Sequence, residues 1–260
     1  MMDAVEQIAC FRTILDPYNG ITIESNCLPS TKDEFETGLD ILIEVCKNKR
    51  NLIWIYINIE NSDFIPIATK KGFDFYSCER SYVLLVKKMN KDVILPTAPN
   101  HTLGVGVVVI NDYNEVLVVK ERISNVGYKL PGGHIDDKEM ISKAAIREVF
   151  EETGIDVQFD KIISLGHFYP HQFHKSNLYV LCLAKPLNQD IDVKDTHEIE
   201  DAKWVDINIY LEDEKVDDYS KIIVKTALED KGLIKTNKEI LIHLKKDFEL
   251  FFPTTSLKNV

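Results

Sequence analysis

The sequence predicts a mixed α/β fold arranged as two consecutive domains, and three observations carry that reading. Apolar runs rich in β-branched residues, such as NLIWIYINI (residues 51–59) and TLGVGVVVIN (residues 102–111), read as strands buried on both faces. Stretches with apolar residues at helical spacing alternate with them, as at Phe35, Leu39, Leu42, Ile43 and Cys46. The stretch KDVILPTAPNH (residues 91–101), with two prolines and several polar residues, interrupts the pattern. Together they predict domains over residues 1–92 and 102–260, joined by a linker over 93–101.

In the first domain, residues 5–14 and 21–25 read as strands about the turn DPYNG. Thr31 followed by Glu34 forms a capping box for the next helix. The basic run KNKR closes that helix, where positive charge suits the negative end of the helix dipole. Residues 51–59 have the unbroken apolarity of a central strand. Ser62 is expected to cap a helix running to Lys71, with Gly72 as its stop. FDFYS (73–77) and SYVLLVKK (81–88) read as strands. No catalytic constellation occurs among these residues.

In the second domain, residues 102–111 and EVLVVKER (115–122) are strands around a turn at 112–114. A short strand at 127–130 delivers the chain into Pro131-Gly132-Gly133. VQFDKIISLGHFYP (157–170) and SNLYVLCLAKP (176–186) read as further strands, and Trp204 as core. Residues 216–232 have helical periodicity, at Tyr219, Ile222, Ile223, Thr226 and Ala227, with Asp217 or Asp218 as the cap. The tail KEILIHLKKDFELFFPTTS (238–256) suits helix or strand. It is assigned to a helical tail whose Phe248, Leu250, Phe251 and Phe252 dock on a core or a partner.

A net charge of −11 argues against a general nucleic-acid binder, which needs a basic face. It leaves an anionic substrate open, because bound divalent cations invert the local field. The five cysteines are scattered and form no CxxC pair, as expected of free thiols in a reducing cytosol. The first residues, MMDAVEQIACF, lack the pattern of a signal peptide, and no apolar run approaches ~18 residues. The expectation is a cytoplasmic protein with no membrane span.

The chemistry concentrates in GHIDDKEMISKAAIREVFEETGI, residues 133–155. Glu148, Glu151 and Glu152 stand at i, i+3 and i+4, so their carboxylates share one helical face. Like charges there repel by up to ~0.5 kcal/mol per pair, and such a cluster calls for a cation. Oxygen ligands suit Mg²⁺ or Mn²⁺. Gly132 and Gly133 let backbone approach an ion or a phosphate. An exposed acidic helix with Gly154 as its C-cap is the alternative reading of the glutamates alone.

The whole stretch resembles the Nudix box, G-x5-E-x7-R-E-U-x-E-E-x-G-U with U aliphatic. Gly133, Glu139, Arg147, Glu148, Val149, Glu151, Glu152, Gly154 and Ile155 fill its fixed positions. The resemblance implies an α/β/α sandwich with a mixed sheet and a metal-dependent hydrolase of nucleoside diphosphates linked to another group. It implies that Glu148, Glu151, Glu152 and the Gly132 carbonyl hold Mg²⁺ or Mn²⁺. Arg147 would orient Glu148, and Glu139 would support it. Glu198, six residues before Trp204, takes the place of a glutamate that adds a metal ligand or catalytic base in several Nudix enzymes. Glu200 and Asp195 are rivals for that role, as are the box glutamates for the base.

The stretch FIPIATKKGFDFYSCERSYVLLV (64–86) resembles a Nudix subgroup with a GNAT-like amino-terminal domain, which includes plant ADP-ribose/NADH pyrophosphatases. The glycine-rich loop that acetyltransferases use for acetyl-CoA is not evident, so a packing, dimerisation or regulatory role is expected of the first domain. Homodimerisation is common in the superfamily. Pro170 lies sixteen residues after Gly154, a spacing associated with ADP-ribose pyrophosphatases, and the SQPWPFP motif of NADH pyrophosphatases is absent. ADP-ribose is therefore the expected substrate, with NADH next. A non-catalytic nucleotide sensor and an RNA decapping enzyme are the other readings. Within the loop YPHQFHK, Tyr169, Pro170, His171 and His174 are expected to contact substrate. A zinc site of His167, His171 and His174, or plain surface histidines, are the competing readings.

Overall fold

The apolar runs become strands and the helical-period stretches become helices, gathered into two units, Met1–Pro99 and Asn100–Val260. The computed structural model describes residues 5–124, 127–229, 231–236 and 247–253.

The first unit comprises β1 (Val5–Ile8), β2 (Phe11–Leu15), β3 (Ile21–Ile23), α1 (Lys32–Cys46), β4 (Leu52–Asn58), α2 (Ile65–Lys70), β5 (Asp74–Cys78) and β6 (Tyr82–Lys88). Its sheet runs β1-β2-β3-β4-β6-β5, with β4 inside it. The strand expected over 5–14 is two strands, because the chain reverses after Ile8, with Ala9 at a φ of 52°. Thr31 caps α1 by accepting the Glu34 amide at 3.3 Å. Phe35, Leu39 and Leu42 of α1 pack against Phe11, Ile53, Ile55 and Ile57. The helix expected from Ser62 starts at Ile65, after a 3-10 segment Ile59–Phe64. Pro66 fits its first turn, where its missing N–H costs nothing.

The second unit comprises β7 (His101–Val109), β8 (Glu115–Glu121), β9 (Gly132–His134), α3 (Ile141–Thr153), β10 (Val157–Phe168), β11 (Ser176–Pro186), β12 (Ile199–Asp206), α4 (Ile207–Glu212), α5 (Asp218–Ala227), β13 (Leu233–Lys235) and β14 (Phe251–Pro253). The main sheet runs β14-β13-β10-β11-β7-β9, and β8 pairs with β12. It is mixed, because β7 and β11 are parallel while β10 and β9 run antiparallel to their neighbours.

Side-chain alternation along β7 makes the layers. Val105, Val107 and Val109 pack with Ala144, Ala145 and Val149 of α3. Val108 packs with Ile207, Ile223 and Val224 of α4 and α5. The sheet is thus sandwiched between helices, as its buried parallel pair requires. Asp217 caps α5 through the Ser220 amide at 2.9 Å. The short helix α4, not anticipated from the sequence, is capped by Asp206 through the amides of Asn208 and Ile209. The expected strand at 127–130 is a single bridge, Val119 to Lys129. In the tail, 238–246 and 254–256 lie outside the described residues, while Phe251–Pro253 is a strand paired with β13. All five cysteines are free. Among the described residues no helix is long and apolar enough to cross a membrane.

Candidate active site

The site forms where α3 passes beneath the glycines of β9. Gly132 has a φ of 150°, and a Cβ there would lie 2.2 Å from the Val105 carbonyl oxygen, so only glycine fits. Its amide donates to Glu152 Oε2 at 2.9 Å. A Cβ on Gly133 would lie 2.7 Å from both carboxylate oxygens of Glu148. The bare backbone thus lets two glutamates of one helix reach under the strand.

Arg147 organises the outer side of the helix. Its guanidinium donates to both oxygens of Glu139, at 2.9 and 2.7 Å, and to the His134 carbonyl at 3.0 Å. It also donates to Glu148 and Glu151, each at 2.9 Å. Such bidentate, charge-assisted contacts hold a planar group firmly. They keep the Glu139 carboxyl below its ordinary pKa and raise that of Arg147. Glu148 goes the other way: burial raises its pKa, against the pull of Arg147.

Glu152 carries the strongest perturbation. It is only 4% exposed, and burial pushes its carboxyl up to about 8, with Lys129 and the Gly132 amide opposing and Glu148 and Glu198 adding to the rise. Oxygens of Glu152, Glu121 and Glu198 lie within 4.8 Å of one another. Glu121 and Glu198 line a cleft of ≈ 310 Å³, together with Lys129, His171, Asn177 and Tyr179. Lys129 forms an ion pair with Glu121 at its edge.

The expected residues distribute unevenly around this cleft. Glu198 and His171 line it, as do Gly132 and Gly133. The rivals of Glu198 are engaged elsewhere: Glu200 pairs with Lys120 at 3.0 Å, and Asp195 accepts the amides of His197 and Glu198. Tyr169, Pro170 and His174 are exposed and lie outside the cleft lining. The three histidines of the zinc reading do not converge. His167 Nε2 meets His101 Nε2 at 3.1 Å, whereas the His171 ring sits 6.2 Å from that of His134.

The cleft residues that escaped the sequence reading include Glu121, Lys129 and Asn177. Glu121 had a usable signal, since it follows Leu117 and Val119 at period two on one face of β8. Its pairing with Ile199 brings it beside Glu198.

The donor set fits a divalent cation. Three carboxylates with converging oxygens, one of them buried beyond what Lys129 and one amide neutralise, match the oxygen-only ligation that Mg²⁺ and Mn²⁺ prefer.

Comparison with known proteins agrees in the same region. Residues 100–225 match the NUDIX domain, and residues 11–89 match a Nudix hydrolase domain. Nudix hydrolase 2 of Arabidopsis thaliana is 36% identical over 223 residues, covering 83% of this chain and 79% of the relative. The chain belongs to the Nudix hydrolase family. Nudix hydrolase 8 of the same plant is 34% identical over 82% of this chain, which spans 59% of that relative's length. Nucleoside diphosphate-linked moiety X motif 6 of Homo sapiens is 32% identical over 75% of this chain and 64% of its own. A MutT Nudix hydrolase of Burkholderia pseudomallei, 18% identical, aligns over 49% of the chain and 98% of its own with a TM-score of 0.42. Nudix hydrolases cleave the pyrophosphate bond of nucleoside diphosphate derivatives, and the buried Glu152 is one of the box residues of this chain.

Proposed function

We propose that the chain hydrolyses the pyrophosphate bond of ADP-ribose, with NADH the next candidate, using Mg²⁺ or Mn²⁺. The observation that carries the reading is the convergence of the Glu121, Glu152 and Glu198 oxygens at the lip of a cleft beside the Nudix box.

Glu152 and Glu198 would hold the cation together with Glu121, with Glu148, Glu151 and the Gly132 carbonyl as further groups that would serve it. When bound, such an ion polarises phosphoryl oxygens and acidifies a water. The chain's own groups do the remaining work. Glu198, on the solvent side of the cluster, takes the proton of the attacking water, a role for which Glu151 and Glu152 are the alternatives. Lys129 neutralises charge on the substrate phosphates. Arg147 keeps Glu148 and Glu151 in place through contacts that also reach Glu139 and the His134 carbonyl. His171 borders the substrate, and Tyr169, Pro170 and His174, exposed on the same loop, contact it outside the cleft. For the first unit we retain a GNAT-like reading with a packing or regulatory role.

The test is release of the hydrolysis products, resolved by chromatography, from a panel containing ADP-ribose, NADH, a dinucleoside polyphosphate, coenzyme A and capped RNA, with Mg²⁺ or Mn²⁺. Turnover on ADP-ribose that disappears in Glu152→Gln supports the proposal. Nucleotide binding without turnover on any member favours the sensor reading, and preferred turnover of capped RNA favours decapping.

A further inference from the structure

Two buried polar atoms in the cleft lack a hydrogen-bond partner among the described residues: Asn177 Oδ1 and His171 Nε2. Both residues line the same cleft as Glu121, Glu198 and Lys129. Asn177 is 5% exposed and sits on β11, paired with Thr102 on one side and Phe168 on the other. Two residues along the same face, Tyr179 lies so close to Gly104 that a Cβ there would stand 2.8 Å from its ring. Asn177 lines the cleft with its carboxamide oxygen unpaired. A buried carboxamide oxygen without a donor costs about 1–3 kcal/mol, and such a group recurs where a ligand completes it.

Resting on the pyrophosphatase reading above, we infer that Asn177 and His171 form a sugar-hydroxyl subsite that fixes the substrate next to its reacting phosphates. A carboxamide oxygen accepts hydrogen bonds and cannot donate one. An ionised phosphate has no proton to offer Asn177 Oδ1, whereas a hydroxyl both donates and accepts and so completes the carboxamide in either orientation. The group held there is a hydroxyl or amine donor. A cleft of ≈ 310 Å³ is at the small end of ligand pockets, and its other wall is given to carboxylates and a lysine. The portion of a nucleoside diphosphate derivative that directly adjoins its phosphates is a sugar, and its hydroxyls are donors. His171 Nε2 gives or takes a second hydrogen bond, according to its tautomer.

Either sugar of ADP-ribose carries this chemistry, and the experiment separates them. Asn177→Leu keeps the branching of the side chain and removes the acceptor. Its KM is measured for ADP-ribose, for the methyl ester of ADP, which lacks the second sugar, and for the 2′,3′-dideoxyadenosine analogue of ADP-ribose. The expected result is a roughly tenfold rise in KM for ADP-ribose, one hydrogen bond's worth, with kcat changed less than threefold. The rise vanishes for whichever analogue lacks the hydroxyl that Asn177 holds. An equal rise for all three substrates, or none for any, overturns the inference. A melting temperature at or above that of the parent shows that the variant folds. Should the parent release AMP from no substrate, the pyrophosphatase reading fails by itself. Calorimetric binding of ADP-ribose then decides the subsite: about tenfold weaker binding in Asn177→Leu supports it, and equal or undetectable binding in both proteins overturns it.

Discussion

Glu152→Gln separates what the buried carboxylate does for the fold from what it does for the chemistry. Glutamine keeps an oxygen for the Gly132 amide, and its own amide faces the carboxylates of Glu121 and Glu198. Only the buried charge is lost. The folded pKa of Glu152, about 8, lies above the 4.5 of an ordinary glutamate. Below pH 4.5 the proton is on in both folded and unfolded chains, and the burial penalty is absent. As pH rises from there toward 8, the unfolded chain ionises first, so stability falls, and the loss is complete above pH 8. The gap of about 3.5, at ~1.36 kcal/mol for each pH unit, sets a ceiling of about 5 kcal/mol. Water entering beside Glu198 reduces it, and about 2 kcal/mol is the working figure. In chelator-treated protein, Glu152→Gln should therefore melt with the parent at pH 5 and about 4–8 °C above it at pH 9. Adding Mg²⁺ should raise the parent's melting temperature and leave the variant's nearly unchanged, while turnover is lost in the variant. A difference between the two proteins that stays constant from pH 5 to pH 9 would refute the argument, because it would place the effect in shape rather than in charge.

The remaining predictions test the frame around that carboxylate. Arg147→Ala frees Glu139, Glu148 and Glu151 at once, so turnover should fall about 10–100-fold with a smaller change in KM, read from steady-state kinetics over a range of metal concentrations. Gly132→Ala forces a side chain into a conformation reserved for glycine and against the Val105 carbonyl, and should cost about 3 kcal/mol in urea unfolding as well as metal affinity by calorimetry. Helix α3 has no capping side chain of its own; Glu249 accepts the Ser142 amide at 3.2 Å and pairs with Lys235 at 2.6 Å. Glu249→Ala should cost about 2 kcal/mol in the same unfolding assay, and Glu249→Gln distinctly less.

How much of this was readable from the sequence depends on whether a residue's partners lie within its own segment. Glu148, Glu151 and Glu152 share a helical face wherever the helix sits, and Glu139 lies eight residues from Arg147, so the motif carries its own geometry. Thr31 with Glu34 was legible for the same reason, as was an aspartate cap at 217 or 218, which the structure gives to Asp217. Glu121 and Asn177 are different. Each is one polar residue at or near the end of an apolar strand, and only strand order gives it a neighbour. Glu121 meets Glu198 because β8 pairs with β12, and Asn177 reaches the cleft because β11 lies between β10 and β7. Ser142 and Glu249 make the same point at a separation of 107 residues, where no local pattern links a helix start to its cap. The box glutamates are thus legible as a set, but which of them is buried is not. That follows from the glycines of β9 lying over α3, and it makes Glu152, rather than its exposed neighbour Glu151, the carboxylate whose ionisation a cation must compensate.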